Sequence, residues 1–483
     1  MVSSRRDGGR NEIGLGPRAC PLLAIVCRNI IVRDQQEALL TMIETMPFVP
    51  GLSPVGGKTI TATFDGGTLS SNGGVLILRE IEKRLGLARV LSRHIPDDRD
   101  GRRVRHSYSD MTRARMFAIA SGHEDCDDLD VLRSDPALKM ACGRLPVSGT
   151  DLMSQPTLSR LENAPCWRQL ARMGIELIDL FCARFERVPR CIVLDIDDTD
   201  DAVHGQQQLA LFNTHAGGYC FQPIKIFEAA TGRPVLSLLR PGKRPSGEEI
   251  EEILRHVIGR IHRNWPAVEI MVRGDSHFAT PEVMDLLEQK RCGYIFGLST
   301  NMRLTEIGRP WSEDVATRRA LSKSEKMRRF FQTGYAAASW SKPRKIVARV
   351  EASEQGSDIR FIVTNLPGRA KVLYEKVYCA RGRMENLIKD MKLYTRSDRT
   401  SCHRREANQF RLFLHMGAYW LLHELRGAAP KRSIWRTATF ETIRCAFLKI
   451  AVRIEELKTR IKMALPSAYP HVQALTALAT CAP

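Results

Sequence analysis

The period of the apolar positions changes along the chain, and the changes mark out its parts. Residues 1–57 hold no sustained period. They are rich in Gly, Arg and Pro and close on the turn-forming run Pro50-Gly51-Leu52-Ser53-Pro54-Val55-Gly56-Gly57. A poorly ordered extension is expected there, with Met42 and Met46 as alternative starts. From Lys58 the pattern tightens: Ile60 to Phe64 alternates like a strand and Asp65-Gly66-Gly67 turns the chain. Leu76, Leu78, Ile81 and Leu85 then recur at helical steps. Further helices are predicted around 109–121, 151–163 and 166–184, so 58–188 reads as a mainly helical N-terminal domain.

At Arg190 the period changes. Cys191 to Asp197 is a short apolar run, as in a strand buried on both faces. Tyr219–Phe227 and Val235–Leu239 are strand-like, with Thr231-Gly232-Arg233 turning between them. Ser246 and Glu249 have capping-box spacing ahead of a helix whose apolar face is Ile250, Ile253, Leu254, Val257, Ile258 and Ile261. Glu269–Val272 is a strand leading into Arg273-Gly274-Asp275, Pro281 opens a helix, and Tyr294–Leu298 is a strand. This order predicts a mixed α/β layer fold with helices on a central sheet. Residues 301–370 break the rhythm with a charged helical stretch to Arg328 and strands at 345–350 and 359–364, which reads as a β-rich insertion. Long helices are predicted at 371–393, 404–425 and 437–463. The expected division is therefore an extension (1–57), a helical domain (58–188), an α/β core with insertion (189–425) and a helical C-terminal region (426–483).

Charge adds a partner. With 73 Lys+Arg against 54 Asp+Glu, the formal charge of +19 suits a polyanion whose condensed counterions basic side chains displace. Arg99, Arg102, Arg103, Arg105 and His106 form a local cluster able to touch phosphates, although a solvated loop has the same composition. No 18-residue apolar run exists, so no membrane span is expected. Cys20 to Val32 is interrupted by Arg28 and Asn29 and does not read as a signal peptide. The 13 cysteines form no CxxC pair and read as buried, reduced thiols of a cytosolic protein. Cys402-His403 is too poor for a zinc site.

Three carboxylate positions carry the chemistry. Asp195 and Asp197 are two apart on one strand and so share a face. Asp197 ends the strand, where open α/β sheets place functional side chains. Asp198, Asp200 and Asp201 follow, and such an acidic strand end needs cations or solvent. Asp275 ends a second strand beside Gly274 and Ser276. On the later helix, Tyr378, Arg381, Glu385 and Lys392 fall on one face, joined by Lys389. Glu385 there suits a metal, while Tyr378, Arg381, Lys389 and Lys392 suit DNA phosphates, though ordinary helix ion pairs share this spacing. Two Mg²⁺ ions need several oxygen ligands, which two strand-end aspartates and a helical glutamate supply in a ribonuclease-H-like layer fold.

The run Tyr378…Arg381…Glu385…Lys392 matches the Y-(2)-R-(3)-E-(6)-K pattern of a large group of bacterial insertion-sequence transposases at all four positions. Within that group the chain resembles the insertion sequence 1380 family. The supporting stretches are Phe64-Asp65-Gly66-Gly67, Gly122-His123-Glu124-Asp125 with Leu132-Arg133-Ser134-Asp135-Pro136, Leu194 to Asp201, Leu239-Arg240-Pro241-Gly242 and Arg273-Gly274-Asp275-Ser276, so the likeness covers roughly 58–475. The resemblance implies a DNA transposase with a metal-binding triad of Asp197, Asp275 and Glu385 and a β insertion before the Glu. It suggests a D-x-T arrangement with Thr199, which favours Asp197 as first ligand; Asp195 and Asp198 remain rivals, and Asp195 is also a candidate metal ligand. His277 stands where a small residue is expected and reads as structural. The implied cofactor is two Mg²⁺ ions, with Mn²⁺ as a substitute. The implied partners are the element's terminal inverted repeats, target DNA and a second copy in a synaptic homodimer, in the bacterial cytoplasm at the nucleoid. Trp311 or Trp340 is a candidate for stacking on an extruded base.

Overall fold

Cys191–Asp198 (β1) lies inside an eight-stranded mixed sheet, where its alternate residues Leu194 and Ile196 are fully buried. The protein is described here by a computed structural model, which covers residues 52–322 and 324–481. The expected extension therefore lies almost wholly outside the described residues. Residues up to Thr68 and residues from Leu69 onward form two separate units. In the first, Ile60–Phe64 forms no strand; Phe64 is exposed, so the alternation buries no apolar face there.

The second unit opens with four helices that concern the sites below: Val75–Leu85 (α1), Tyr108–Ala120 (α2), Gln155–Asn163 (α3) and Trp167–Ala183 (α4). Ile224–Glu228 (β2) and Pro234–Leu238 (β3) pair antiparallel beyond one side of β1. The helix Gly247–Asn264 (α5) follows, then Glu269–Gly274 (β4), parallel to β1 on its other side. Pro281–Gln289 (α6) leads to Gly293–Leu298 (β5), parallel to β4. After the helix Met302–Ser322 (α7), the strands Met327–Tyr335 (β6), Arg344–Ser353 (β7) and Gly356–Thr364 (β8) form a meander. Because β8 pairs with β5, the meander extends the same sheet, giving the order β6-β7-β8-β5-β4-β1-β2-β3.

Several local readings are corrected by tertiary contacts. The apolar run 219–227 is two strands in different sheets, because Pro223 lacks the N–H a continuous ladder needs. Arg328 lies in β6 rather than in the charged helix, which ends at Ser322. Ser246 caps α5 by accepting from Glu249 N, but the Glu249 carboxylate turns to Arg240 instead of completing the box. The predicted long helix 437–463 is a short helical turn at Phe440–Leu448 followed by strands Val452–Glu456 and Ile461–Ala464. Ile450, Ile454, Leu457 and Ile461 imitate helical spacing, yet Val452 and Ile454 are buried on either side of exposed Arg453, a period of two. This hairpin pairs with Leu69–Ser70, closing the unit's first and last segments together.

The helical segment after β8 is irregular. A π-helical turn spans Leu373–Tyr378 and a 3₁₀ turn Cys379–Arg381, before the α-helix Gly382–Lys389 (α8) and another π turn at Asp390–Tyr394. Such turns frequently mark functional sites. Arg405–Ala428 (α9) follows, buried over most of its circumference, with Phe410, Tyr419 and Trp420 at 0% exposure. Its Arg411 lies 3.8 Å from Glu162 of α3, which in turn accepts from the fully buried Arg115 of α2 at 3.2 Å. Buried charges persist only when paired in this way.

Gly74 sits where backbone hydrogen bonds bring two segments together: its N–H donates to Leu448 O at 3.2 Å, and the Gly73 N–H donates to Ile450 O at 2.9 Å. A Cβ there would strike the Phe447 carbonyl and approach Leu448 Cα to 2.9 Å. Gly74→Ala is expected to cost about 2 kcal/mol or more in thermal unfolding. Gly427→Ala, at a helical position with open space, should be neutral or stabilising. Equal melting temperatures for the two variants would refute this account of the joint.

Candidate active site

β1 and β4 are parallel neighbours, so their C-terminal ends open at the same edge of the sheet and bring Asp197, Asp198 and Asp275 together. Gly274 precedes Asp275 because a Cβ there would lie 3.0 Å from the Phe278 ring and 3.1 Å from Ile196. The His277 N–H donates to Asp275 Oδ1 at 2.9 Å, which fixes the carboxylate at the turn. The irregular helical segment passes over this edge. Tyr378 packs its hydroxyl against Gly297 of β5, where a Cβ would come within 2.8 Å of it.

Arg381 joins the strand end to the helix. Its Nη2 lies 2.7 Å from Asp197 Oδ2, and its Nη1 lies 3.8 Å from Glu385 Oε1. The Glu385 side chain is 70% exposed, whereas that of Asp197 is 10% exposed. Burial pushes the Asp197 carboxyl up to about 7; the Arg381 charge opposes that, and Asp275 and Asp198 add to it. Burial is the largest single influence on Arg381 and acts to lower its pKa, but Asp197, with Asp275 and Tyr378, outweighs it and leaves that guanidinium above its usual range.

Asp195 points elsewhere. Both its oxygens accept from Arg273, from Nε at 2.6 Å and Nη2 at 2.8 Å, and the pair is almost completely buried. Arg273 Nη1 also donates to Val377 O at 2.6 Å. Asp195 thus serves as the anchor of that arginine, and its oxygens face a guanidinium in this structure. Asp198 pairs with His277, whose Nδ1 is 3.2 Å from each carboxylate oxygen. The hydrogen bond that the His277 ring donates to Asp198 raises the His277 pKa, against partial burial. Asp198, Asp275 and His277 offer ligand atoms within 4.8 Å of one another.

Of the other residues singled out by spacing, Lys389 is exposed on α8. Lys392 is turned onto the strand: its Nζ donates to Thr199 Oγ1 at 3.2 Å and lies 3.4 Å from Asp201. Beneath it is a group that sequence reasoning missed. Lys225, fully buried in β2, donates to Ser397 Oγ at 3.2 Å, and burial lowers its pKa to about 8. Asp201 is equally buried and pushed up to about 6 by that burial, against the two lysine charges. A lysine inside the apolar run Ile224 to Phe227 was the available signal. Arg102, Arg103 and Arg105 are exposed in the loop before α2. Trp311 stacks on Phe331 at 4.8 Å and Trp340 packs edge-on against Tyr335 at 5.3 Å, so both are engaged in the packing of their own segment. The cysteines are free among the described residues, but Cys166, Cys191, Cys379 and Cys445 are exposed, which corrects the expectation that all are buried.

The donor set at this edge suits a divalent cation. Carboxylate oxygens are hard donors, and a buried Asp197 crowded by Asp198 and Asp275 has one guanidinium to balance it. A cation would offset the burial, and the added repulsion from Asp275 and Asp198, that raise the Asp197 pKa.

The family model described as transposase DDE domain group 1 matches residues 52–481. Among solved structures, a piggyBac transposase synaptic complex with hairpin DNA is similar, at 10% identity and a TM-score of 0.41, over 78% of this chain and 80% of that one. No curated protein matches the sequence.

The Asp197 shift has a consequence for stability. Its ordinary value is 3.8 and its folded value about 7, so between these the native state holds a proton that the unfolded chain has released. Native-state stability from this group is therefore full below about pH 4 and is lost as pH rises towards 7. In a chelator, wild type should lose melting temperature relative to Asp197→Asn across that window, and millimolar Mg²⁺ should restore it in wild type only. Parallel pH curves for the two proteins would refute this reading of the Asp197 environment.

Proposed function

The chain belongs to the transposase DDE domain group 1 family, and on that premise we propose that Asp197, Asp275 and Glu385 are the carboxylates through which it acts on DNA. Membership makes it a transposase, an enzyme that cleaves DNA and transfers strands. The observation that carries the residue assignment is the bridge made by Arg381, which joins Asp197 at the strand end to Glu385 on the helix, beside Asp275. Asp197 takes the first position because Asp195 is committed to Arg273 and Asp198 to His277. Within the family, the motif stretches favour the insertion sequence 1380 group, and the strand order β3-β2-β1-β4-β5 favours a ribonuclease-H-like core extended by the meander.

Asp197, Asp275 and Glu385 would hold two Mg²⁺ ions, with Mn²⁺ an acceptable substitute. When bound, such ions activate the attacking oxygen and stabilise the leaving one. The protein's own groups position the substrate. Arg381 and the exposed Lys389 stand on either side of Glu385, ready to meet phosphates flanking the scissile bond. Tyr378 places a phenol against the Asp275 turn. Lys392, held by Thr199 and Asp201, keeps the segment after Asp197 in place and supplies positive charge there. The helical region 58–188 would read the terminal inverted repeats, two copies would synapse two ends, and the freed 3′-hydroxyl would attack target DNA in line. The setting would be a bacterial cytoplasm at the nucleoid; among the described residues no helix is long and apolar enough to cross a membrane.

The direct test is cleavage and joining of labelled element-end DNA in Mg²⁺ by wild type and Glu385→Ala. Loss of both activities by about a thousandfold, roughly 4 kcal/mol of transition-state stabilisation, is expected with DNA binding retained. Undiminished chemistry in the variant would remove Glu385 from the site. Wild-type protein that binds ends without cutting them would indicate a non-catalytic DNA-binding role.

A further inference from the structure

A cavity of about 1090 Å³ lies in the helical region, apart from the carboxylate edge, and five arginines line it: Arg99, Arg103, Arg105, Arg133 and Arg160. They come from three separate stretches of the chain. The first three belong to the loop before α2, Arg133 follows the short helix Asp128–Leu132, and Arg160 projects from α3. Only the first stretch stands out as a charge cluster in the sequence; folding adds the other two. Arg102, its immediate neighbour, is exposed but does not line the cavity.

The charge is poorly compensated. Two carboxylates line the cavity, Asp100 at 3.6 Å from Arg103 and Asp151 at 3.6 Å from Arg133. Asp151 is shared with Lys139, at 3.8 Å. Arg99 is satisfied by Asp97 at 2.6 Å and stands over the Tyr108 ring. Arg105 and Arg160 have no ion-pair partner among the described residues. The positive end of α3 opens here as well: Ser154, its N-cap, makes no cap hydrogen bond to the helix, and its hydroxyl lies 3.3 Å from that of Thr157. Both hydroxyls line the cavity, in reach of an anion that the helix terminus also favours.

We propose that this cavity is a docking trough for the sugar–phosphate backbone of DNA, in which Arg105, Arg133 and Arg160 make the phosphate contacts and Ser154 and Thr157 add hydrogen bonds at the start of α3. The proposal rests on the transposase reading for the identity of the polyanion and on the cavity's own charge for the contacts. Guanidinium forks match phosphate geometry, and backbone contacts fix register without reading base sequence. The trough therefore contributes affinity and orientation, while base discrimination lies on other surfaces.

The test uses the full chain and a labelled short duplex of arbitrary sequence, titrated across a salt series. Arg133→Ala/Arg160→Ala is compared with wild type and with Arg133→Lys/Arg160→Lys. Each lost phosphate contact removes about 0.9 from the slope of log K against log salt. The alanine pair should thus flatten the slope by about 1.8 and weaken binding at least tenfold, and the lysine pair should keep most of both. Wild-type affinity and slope in the alanine pair would overturn the proposal, as would weakened binding with the slope unchanged. Element-end cleavage, measured on wild type alone, separates the two readings: a flattened slope in a protein that never cuts leaves the trough standing and removes the mechanism above.

Discussion

The Arg273–Asp195 pair is the contact on which the carboxylate edge depends. It ties β4 to β1 through both carboxylate oxygens, and the third guanidinium nitrogen donates to Val377 O, in the π turn that introduces Tyr378, Arg381 and Glu385. One guanidinium thereby relates the two strand ends to the helical segment that crosses them. A buried pair of this kind is costly to form, and removing one partner leaves an uncompensated charge worth about 3–5 kcal/mol. Its geometry is also directional: a forked donor against a carboxylate fixes angle as well as distance, which apolar packing does not.

Electrostatics then divides the molecule. At and beside the sheet edge carboxylates are buried and crowded, and this appears as raised pKa values at Asp197 and Asp201. Arg381 and Lys392 offset it from the helix, and Lys225 does so from within the sheet. In the helical region the imbalance is reversed, with arginines outnumbering carboxylates around a cavity. A chain of net charge +19 thus concentrates negative charge in one place, against its overall balance. That arrangement suits a protein that must draw a polyanion in and hold cations against it.

The fold was legible where period and burial coincide. β1, β4 and β5 are buried on both faces, and α5 has one apolar stripe behind a serine cap, so local pattern and tertiary role agree. Reading failed where two periods fit the same residues. Ile450, Ile454, Leu457 and Ile461 satisfy helical spacing, but the strand contributed by Leu69–Ser70 rewards the alternation of Val452 and Ile454 instead. Of the meander strands, β7 and β8 were recognisable but β6 at Met327–Tyr335 was not, and neither was the pairing of β8 with β5, because strand partners are chosen by contacts remote in sequence.

By itself the sequence determined which residues carry charge at which element ends: Asp197 and Asp198 after an apolar strand, Asp275 after a glycine, Glu385 four residues beyond Arg381 in a helical segment. These follow from local periodicity, which needs no knowledge of distant partners. Only the tertiary structure decided which carboxylate faces which base. It turned Asp195 onto Arg273, Asp198 onto His277 and Lys392 onto Asp201, and it gathered Arg133 and Arg160 beside the loop arginines. The physical reason is that ion pairs and hydrogen bonds act over a few ångströms, so their partners are set by packing across the chain and leave no trace in spacing along it.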